Sequence, residues 1–597
     1  MVLESGWLKE EANRYTLTGS LPPVSIPATL HDSLMARLDR LGPAKEVAQL
    51  GATLGREFPY ELLKAVSSLD EAALRSALDQ LVDAELLYRR RLPSHELYVF
   101  KHALIQETAY QSLLKKTREQ SHKKIAQILQ ERFFEVREIQ PELLAHHYTE
   151  AGLIDQAIPY WQKAGQQAVE SSANVEAASH LHKGLELLKT LPHSPERIQQ
   201  ELLLQTTLGP ALIATKGYGA PEVENTYARA RELSQQMGEV PELFPVLWGL
   251  WVFYTARADH QTALELGEQC LRLAQSLPDP AFLLEAHHAL AVTLAARAEF
   301  ASALENATQV LVLYDPPVHR SHSFLYGQDP AMACLSHTAF ALWFLGYPDQ
   351  ALQKVQQASR LAQELKHPFS VAAALAFAAR LHQFRREGPA TQEQAEAVIA
   401  LCTEQGIPFW GGWALILHGW AWVEQGRQEE GMAQLRQGLV AFQATGAKIE
   451  EPYHLTLLAE GYGKVGQPEE GLATLAEGLT AVQNTKECWW EADMYRLKGE
   501  LTLKQSEVRS LKPEVPTPQP LTPNTQPLTP STQAEAEEYF HKAIEIAQRQ
   551  GAKSLELRAV MSLSRLWLRQ GKKAEARQRL AEIYGWFTEG FDLVDLQ

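Results

Sequence analysis

Gly426-Arg-Gln-Glu-Glu-Gly431-Met432 and, forty residues later, Gly466-Gln-Pro-Glu-Glu-Gly471-Leu472 are two copies of the phrase that decides the fold. Each copy has a glycine, four turn residues, a small anchor residue and an apolar residue. Glycine tolerates the left-handed conformation that ends many helices, and an acidic residue favours the start of the next helix. Small or apolar residues return at helical spacing after each anchor. The phrase therefore predicts a hairpin of two closely packed helices.

The same phrase recurs along most of the chain. Further copies begin at Gly152, Gly346 and Gly571, and two weaker copies begin with an alanine, Ala258 and Ala298. Successive anchors lie 40 or 48 residues apart, close to the period of about 34 in a tetratricopeptide (TPR) unit. Because stacked hairpins bury a continuous core, the sequence predicts a TPR-like α-solenoid, with repeats at 140–504 and 534–597.

A proline-rich stretch interrupts these repeats. Residues 512–532 contain seven prolines, each of which lacks an amide donor, so the sequence predicts a disordered insertion over residues 505–533. It falls between the two helices of one hairpin, where a loop tolerates length. A docking peptide for a proline-recognising partner is the alternative to a spacer.

Residues 26–135 follow a different pattern. Leucine-periodic segments, one of them preceded by the N-cap residue Asp70, predict three helices. Two short stretches, 86–92 and 96–100, separated by a turn at Pro93-Ser94, then predict a two-stranded wing. The predicted fold class is therefore all-α, with an N-terminal winged-helix module followed by a TPR-like α-solenoid.

Composition and charge exclude several classes of protein. The 597 residues carry 56 Lys and Arg against 72 Asp and Glu, a formal net charge of −16. This balance argues against a protein that mainly coats nucleic acid or anionic membrane. Four cysteines without a CxxC pair indicate neither a disulfide framework nor a zinc site. With no targeting or membrane-spanning segment evident, we expect a cytoplasmic protein.

Three segments carry a family resemblance. Ile26–Leu41, Ala48–Phe58 and, most specifically, Phe100-Lys-His-Ala-Leu-Ile-Gln-Glu-Thr-Ala-Tyr110 resemble the region after the ATPase core in bacterial STAND-class signal-transduction ATPases. The group concerned is linked to class III adenylate/guanylate cyclases and is similar to the maltose-regulon activator. Ile583–Asp592 resembles the final repeat of the cyclase-linked members. The resemblance covers essentially the whole chain, although most repeats match only in pattern.

The resemblance implies roles for the N-terminal residues. In related ATPases a histidine after the wing contacts bound ADP, which implies a nucleotide-sensor role for His102, whereas capping or packing of the helix is the alternative. The sequence contains no G-x-x-x-x-G-K-[ST], so the P-loop ATPase core is absent and ATP or ADP is expected only with a separate core. Residues 1–25 then resemble the remnant of a preceding ATPase module. Two explanations for the missing core remain open: a truncated reading frame or a stand-alone paralogue.

No residue pattern typical of catalysis or metal binding occurs. The twenty histidines include the adjacent pairs His146-His147 and His287-His288 but no H-E-x-x-H motif, and the cysteines fall at helical core positions. We therefore predict that the chain is not an enzyme and has no catalytic residue, metal or cofactor.

Tryptophans mark the first helices of several predicted hairpins. First helices line the concave surface of a solenoid, where peptides and small ligands bind. The sequence thus predicts a tryptophan-lined groove, and packing between hairpins is the alternative. The candidate groove residues are Trp248, Trp251, Trp410, Trp413, Trp420 and Trp489.

These patterns lead to three functional hypotheses. The first is a non-catalytic regulatory scaffold in signal transduction that binds a protein partner or small-molecule inducer on the solenoid, with a P-loop ATPase or cyclase module as a further candidate partner. The second is a regulatory fragment of a nucleotide cyclase or ATPase polypeptide split by truncation or a frame break. The third is a DNA-binding regulator, suggested by the basic residues Arg89–Arg91, Lys115, Lys116, Arg118, His122, Lys123 and Lys124. Under the first hypothesis, the regulatory scaffold, we expect neither nucleic acid nor a membrane as a partner.

Overall fold

The computed structural model describes residues 8–11, 14–17, 30–92, 96–238, 242–511 and 530–597. The N-terminal helices are α1 (Leu30–Asp39), α2 (Pro43–Leu54), α3 (Tyr60–Val66), α4 (Glu71–Asp83), α5 (Ala103–Gln111), α6 (Lys115–Arg132) and α7 (Phe134–Ile139). The strands are β1 (Leu8–Glu11), β2 (Arg14–Leu17), β3 (Glu57–Pro59), β4 (Leu87–Arg91) and β5 (Glu96–Phe100). No described helix is both long and apolar enough to cross a membrane.

Helices follow one another through the rest of the described chain. They are α8 (Pro141–Glu150), α9 (Ile154–Glu170), α10 (Asn174–Leu188), α11 (Pro195–Lys216), α12 (Pro221–Met237), α13 (Leu243–Ala256), α14 (His260–Ser276), α15 (Pro280–Ala296), α16 (Phe300–Leu313), α17 (Pro316–His319), α18 (His322–Leu325), α19 (Pro330–Phe344), α20 (Pro348–Leu365), α21 (Pro368–Phe384), α22 (Gly388–Gln405), α23 (Pro408–Glu424), α24 (Gln428–Gln443), α25 (Glu451–Lys464), α26 (Pro468–Thr485), α27 (Glu491–Leu511), α28 (Pro530–Gln550), α29 (Lys553–Arg569) and α30 (Lys573–Tyr584). The predicted TPR-like α-solenoid is confirmed.

The chain divides into two compact units. The first comprises Met1–Ala164 with His182–Pro192, and the second comprises Gly165–Leu181 with His193–Gln597. The first unit thus extends past residue 135, where the sequence placed the module's end. The reason is packing, because Ala157 and Trp161 of α9 belong to the same buried cluster as Leu129 of α6.

The first unit combines helices with a small sheet. β5 lies between β3 and β4, antiparallel to both. Strands β4 and β5 occupy the predicted wing, whereas β3 and a fourth helix, α3, were not foreseen. The carboxylate of Asp70 accepts the Ala73 amide at 2.8 Å, so the predicted N-cap is confirmed. Within the predicted remnant 1–25, β1 and β2 form an antiparallel pair, and the other residues lie outside the described chain.

The turns between paired helices have the backbone conformation that the repeated phrase predicts. Gly426 and Gly466 have φ angles of 88° and 80°, and the alanine copies, Ala258 and Ala298, have 58° and 61°. Each position closes the first helix of a hairpin in the left-handed region, where glycine is least strained.

Some hairpins carry no copy of the repeated phrase, and one long repeat is explained. Helices α21 and α22 meet at Arg386, which has a φ of 62°, and Thr391 is buried at the anchor position. Neither residue fits a pattern of glycine followed by a small anchor. The 48-residue spacing between Ala303 and Ala351 contains α17 and α18, two extra short helices.

The predicted disordered insertion, residues 505–533, is wrong at both edges. Helix α27 continues to Leu511 and α28 begins at Pro530, so 505–511 and 530–533 are helical. An open helix end accepts further residues without cost to the core, and proline is well suited to the first turn of a helix. Residues 512–529 lie outside the described chain.

Distant repeats of the second unit contact each other directly. The Glu589 carboxylate accepts the Asp349 amide at 2.9 Å and the Gln350 amide at 3.1 Å. Residues 445–450, here called the inner strap, run against α13. The Lys448 and Ile449 amides both donate to the Ala256 carbonyl, at 2.7 and 3.0 Å. These contacts fix the inner face of the unit.

Candidate functional site

The first helices of the hairpins place the predicted tryptophans inside the second unit. Trp248 and Trp251 lie on α13, and Trp410 and Trp413 lie on α23. A spacing of three residues puts each pair on one helical face. All four side chains are buried, so these rings form an interior wall and not an open surface.

Part of this wall borders a partly open cavity of about 80 Å³, here called the central cavity. Phe377, Phe409 and Trp410 contribute rings to it, with the Trp410 centroid 5.2 Å from Phe377 and 4.8 Å from Phe409. Aromatic rings in such edge-to-face packing hold a fixed shape. The full lining consists of Tyr218, Trp251, Val252, Thr255, Ala256, Val292, Gln328, His337, Phe377, Phe409, Trp410, Trp413, Ile449 and Glu450.

Besides the Trp413 indole nitrogen and Oε2 of Glu450, which interact with each other, four polar atoms of the lining residues are buried without a hydrogen-bond partner in the described structure. They are the Tyr218 hydroxyl, the Thr255 hydroxyl, the Gln328 side-chain oxygen and the Trp410 indole nitrogen. Burial raises the pKa of Tyr218, so its hydroxyl stays protonated and available as a donor. A buried polar group without a partner costs about 1–3 kcal/mol. Four at one cavity are the pattern expected of a site that a polar ligand or water completes.

The inner strap forms one side of the cavity. A β-carbon on Gly446 would lie 2.2 Å from the Gly219 carbonyl oxygen, and the Arg257 side chain donates to the Gly446 carbonyl at 2.9 Å. Only a residue without a side chain permits this approach of two backbones. The approach brings Ile449 and Glu450 to the cavity.

An ion pair joins the strap to the aromatic wall. Arg380 of α21 pairs with Glu450, and both are almost fully buried. The guanidinium carbon lies 3.9 Å from the Phe340 ring centroid and 4.8 Å from that of Trp413. Burial raises the pKa of Glu450, although the charge of Arg380 opposes this. The Glu450 amide donates to both carboxylate oxygens of Glu487 at 2.9 Å, which anchors the strap.

A smaller cavity of about 40 Å³ adjoins the central one. His337 and Glu450 line both cavities, and Arg380 and Trp489 line the smaller one. Burial lowers the pKa of His337 to about 3, so its imidazole is neutral at physiological pH. The two cavities therefore share a wall that contains one member of the ion pair, Glu450, and one neutral histidine, His337.

The predicted groove residues divide into three groups. Trp251, Trp410 and Trp413 line the central cavity, and Trp489 lines the smaller one. Trp248 and Trp420 line neither: Trp248 packs on Tyr326 at 4.9 Å between centroids, and the Trp420 indole donates to Glu460 at 3.1 Å.

Sequence reasoning missed several lining residues, including Tyr218, Phe377, Arg380 and Glu450. Arg380 alone left a signal, as a charged residue in the alanine-rich run of α21 that otherwise reads as core. Tyr218 and Glu450 reach the cavity through contacts between distant repeats, which leave no trace in a local pattern.

His102 lies where the sequence placed it, at the N-cap of α5 directly after β5. Its side chain is exposed and makes no capping hydrogen bond. The position suits contact with an external group at the helix N-terminus.

Two of the basic residues proposed for DNA contact, Arg89 and His122, are engaged within the first unit. Arg89 lies 3.0 Å from Glu96 and also pairs with Asp79. His122 is buried, so its assignment to the basic surface is wrong. Its imidazole contacts the Tyr110 hydroxyl at 2.9 Å and His147 at 2.8 Å. Burial lowers the pKa of His122 to about 4, so the ring adds no positive charge.

No group of three or more metal-ligating side chains comes together within the described residues. Cys270, Cys334 and Cys402 are buried. Burial raises the pKa of each of these thiols, and a thiol kept protonated is a poor nucleophile.

Comparison with known proteins gives one relative in sequence and several in structure. No protein-family model matches the chain. An uncharacterized protein of Rhizobium meliloti (strain 1021) is 26% identical over 576 residues, which are 95% of this chain and 53% of the relative. The chain therefore spans about half the length of the curated relative it matches.

The solved structures resemble the chain at low TM-scores. A Rap protein complexed with competence and sporulation factor is 10% identical with a TM-score of 0.43, over 71% of this chain and 99% of its own. A STAND protein with a tetratricopeptide repeat sensor from Pyrococcus horikoshii is 12% identical with a TM-score of 0.34, over 94% of this chain and 65% of its own.

Proposed function

We propose that this chain is a non-catalytic regulatory scaffold that recognises a protein partner or small inducer through the inner face of its repeats. The observation that carries the proposal is the central cavity, whose lining combines aromatic rings with four residues that each have a buried, unpartnered polar atom. Convergent polar groups in an aromatic pocket are the usual form of a recognition site.

The cavity limits what can enter. An apolar cavity of about 150 Å³ accommodates a benzene ring, so 80 Å³ suits a smaller group. The Trp410 indole offers a donor and the Gln328 oxygen an acceptor. A hydroxyl or carboxamide group satisfies both. We therefore propose that a small polar side chain of a peptide or protein, or a small inducer, occupies the cavity.

Comparative capture on the immobilised full-length chain tests this proposal. The wild type is compared with Tyr218→Phe and Trp410→Phe, which remove one polar group each and keep an aromatic ring. Trp586→Phe is the matched control because Trp586 is 50% exposed and lies outside both cavities. Mass spectrometry of the retained peptides and small molecules should show species bound by the wild type and the control but depleted on both cavity variants. Equal retention on all four would refute the proposal.

A second candidate function is regulation of an attached or separate nucleotide-processing module. It is favoured by the length of the Rhizobium relative, because 47% of that protein lies outside the match. Under this proposal the first unit is a winged-helix module, and His102 contacts nucleotide held by the other module. The proposed compartment is the cytoplasm.

Mixing the purified chain with the unmatched portion of the relative tests this second candidate. ATP hydrolysis and cyclic-nucleotide formation are measured with wild type, His102→Ala and the exposed-residue control His193→Ala. We expect the wild type and His193→Ala to alter the rate, and His102→Ala to alter it less. A rate that does not respond to the wild-type chain contradicts the proposal.

A further inference from the structure

A second pocket, with a volume of about 280 Å³, lies on the first helices of the last repeats. Helices α25, α27 and α29 supply most of its lining. Six side chains are cationic and three are anionic, and we call it the cationic pocket. The cations are Arg386, Lys464, Arg496, Lys504, Arg558 and Arg565, and the anions are Glu460, Glu500 and Asp595.

Internal ion pairs occupy only some of the cations. Arg496 lies 2.5 Å from Asp493 and 2.8 Å from Glu500. The charge of Arg496 lowers the pKa of Asp493 against the opposing effect of burial. Arg386 pairs with Glu460 and Glu424, and Lys464 lies 2.5 Å from Glu424. These three cations are therefore held by carboxylates.

The other three cations retain binding capacity. Arg558 is 4% exposed, and its Nε donates to Asp595 at 2.7 Å. Its Nη2 donates to the Phe384 carbonyl, whereas its Nη1 is buried without a partner in the described structure. Lys504 and Arg565 also line the pocket, and neither makes an ion pair or side-chain hydrogen bond with a described residue.

This arrangement is unusual in a chain with a net charge of −16. A buried guanidinium with an unused donor costs free energy unless an acceptor reaches it. The Arg558 fork is held in place by its two other hydrogen bonds, so it is preorganised for a second acceptor. Glu424 and Asp493 also pair with lining cations, so five carboxylates stand against the six cations. The groups left without an acceptor are Lys504, Arg565 and Nη1 of Arg558, and the oxygens of one phosphate would supply it.

We propose that the cationic pocket binds a phosphomonoester, with Arg558, Lys504 and Arg565 contacting the phosphate oxygens. Arginine forks match the geometry of phosphate and carboxylate oxygens, and hydrogen bonds between charged partners are about twice as strong as neutral ones. A volume of 280 Å³ leaves room for more than the phosphate alone. The ligand is a small phosphorylated molecule and not a free ion.

Calorimetric titration of the full-length chain with AMP and with inorganic phosphate tests the proposal, with sodium chloride at matched ionic strength as the salt control. The wild type should bind AMP more tightly than phosphate and give no saturable signal with chloride. Lys504→Met combined with Arg565→Met should weaken AMP binding at least tenfold, because it removes two cations that hold no structural partner. Lys573→Met combined with Arg577→Met on α30 is the matched control, since both residues are exposed and lie outside the pocket. This control should bind AMP as the wild type does.

Arg558→Lys separates charge from fork geometry. It keeps the positive charge but removes Nη1, so a loss of at least threefold in AMP affinity supports a contact from that nitrogen. Three results overturn the proposal: no AMP or phosphate binding by the wild type, equal affinity in the wild type and the Lys504/Arg565 variant, or equal loss in that variant and the α30 control. Tyr218→Phe should leave AMP binding unchanged, so this test and that of the central cavity succeed or fail separately.

Discussion

The central cavity and the cationic pocket are built on equivalent helices yet differ in chemistry. Helices α13, α21 and α23 present aromatic rings around a single buried ion pair, Arg380 with Glu450. Helices α25, α27 and α29 present mainly charged side chains. The backbone of the repeats is alike in both places, so the inner positions of the first helices determine what each region recognises. Under the two proposals above, one array would carry a site for a small neutral polar group and a site for an anion.

The largest expected effect tests the role of the buried ion pair in this contrast. Arg380→Met leaves Glu450 buried without its partner and should reduce the free energy of unfolding by about 3–5 kcal/mol. Urea unfolding followed by circular dichroism measures this loss. Adding Glu450→Gln should restore part of the stability, because the unpaired charge is then gone.

Lys504→Met provides the matched substitution in the cationic pocket. Lys504 has no ion pair with a described residue. The substitution should therefore change the free energy of unfolding by no more than about 0.5 kcal/mol. Equal losses for Arg380→Met and Lys504→Met would mean that the two regions do not differ as described.

A glycine pair tests the contact of the inner strap. Gly446→Ala forces a β-carbon against the Gly219 carbonyl, whereas Gly426→Ala meets no atom within 4 Å, and both glycines have positive φ. Gly426→Ala should cost about 1–2 kcal/mol from backbone conformation alone. Gly446→Ala should cost about 1–3 kcal/mol more, because overpacking is added. Thermal unfolding of the two variants measures the difference, and equal costs would show that the strap is not tightly held.

Acidification tests the neutral histidine shared by the two cavities. Burial lowers the pKa of His337 to about 3, whereas an exposed histidine in the unfolded chain titrates near 6.5. Between these values the unfolded state binds a proton that the folded state does not, so stability is lost as pH falls below about 6.5.

At pH 5 the loss from His337 should be about 2 kcal/mol relative to pH 7.5. In His337→Gln, the free energy of unfolding should fall by that much less between pH 7.5 and pH 5. The exposed His193→Gln serves as control and should leave that fall unchanged. An unaltered pH dependence in His337→Gln would show that this imidazole is not held neutral.

The smallest expected effect concerns the unpartnered hydroxyl of the central cavity. Tyr218→Phe removes a group that has no hydrogen bond in the described structure, so the free protein should keep its stability within about 1 kcal/mol. The melting temperature without ligand measures this. A loss above about 2 kcal/mol would mean that the hydroxyl bonds within the protein.

Much of the fold could be predicted because it depends on local spacing. The glycines and alanines that close the hairpins were recognised, since a left-handed residue followed by a small anchor repeats in the sequence. Arg386 was missed because it adopts the same conformation with a residue type that gives no such signal. The edges of the predicted insertion between α27 and α28 were placed too far out, because proline enrichment does not show where the flanking helices end.

The sites were less predictable for a physical reason. Trp251, Trp410 and Trp413 were selected by helical spacing, and they line the central cavity. Glu450 was missed because it reaches Arg380 across seventy residues of sequence. Arg558 meets Phe384 across an even longer separation. Such contacts depend on how repeats curve towards one another, and residue periodicity contains no information about that.

The hydrogen bonds from Asp349 and Gln350 to Glu589 have a consequence for biosynthesis. A linear array with contacts only between neighbours can fold repeat by repeat as it leaves the ribosome. Here a middle repeat acquires its partners only after some 240 further residues have been made. The second unit should therefore complete its folding late, in one cooperative step. Nascent chains halted before residue 589 should remain sensitive to protease around α20.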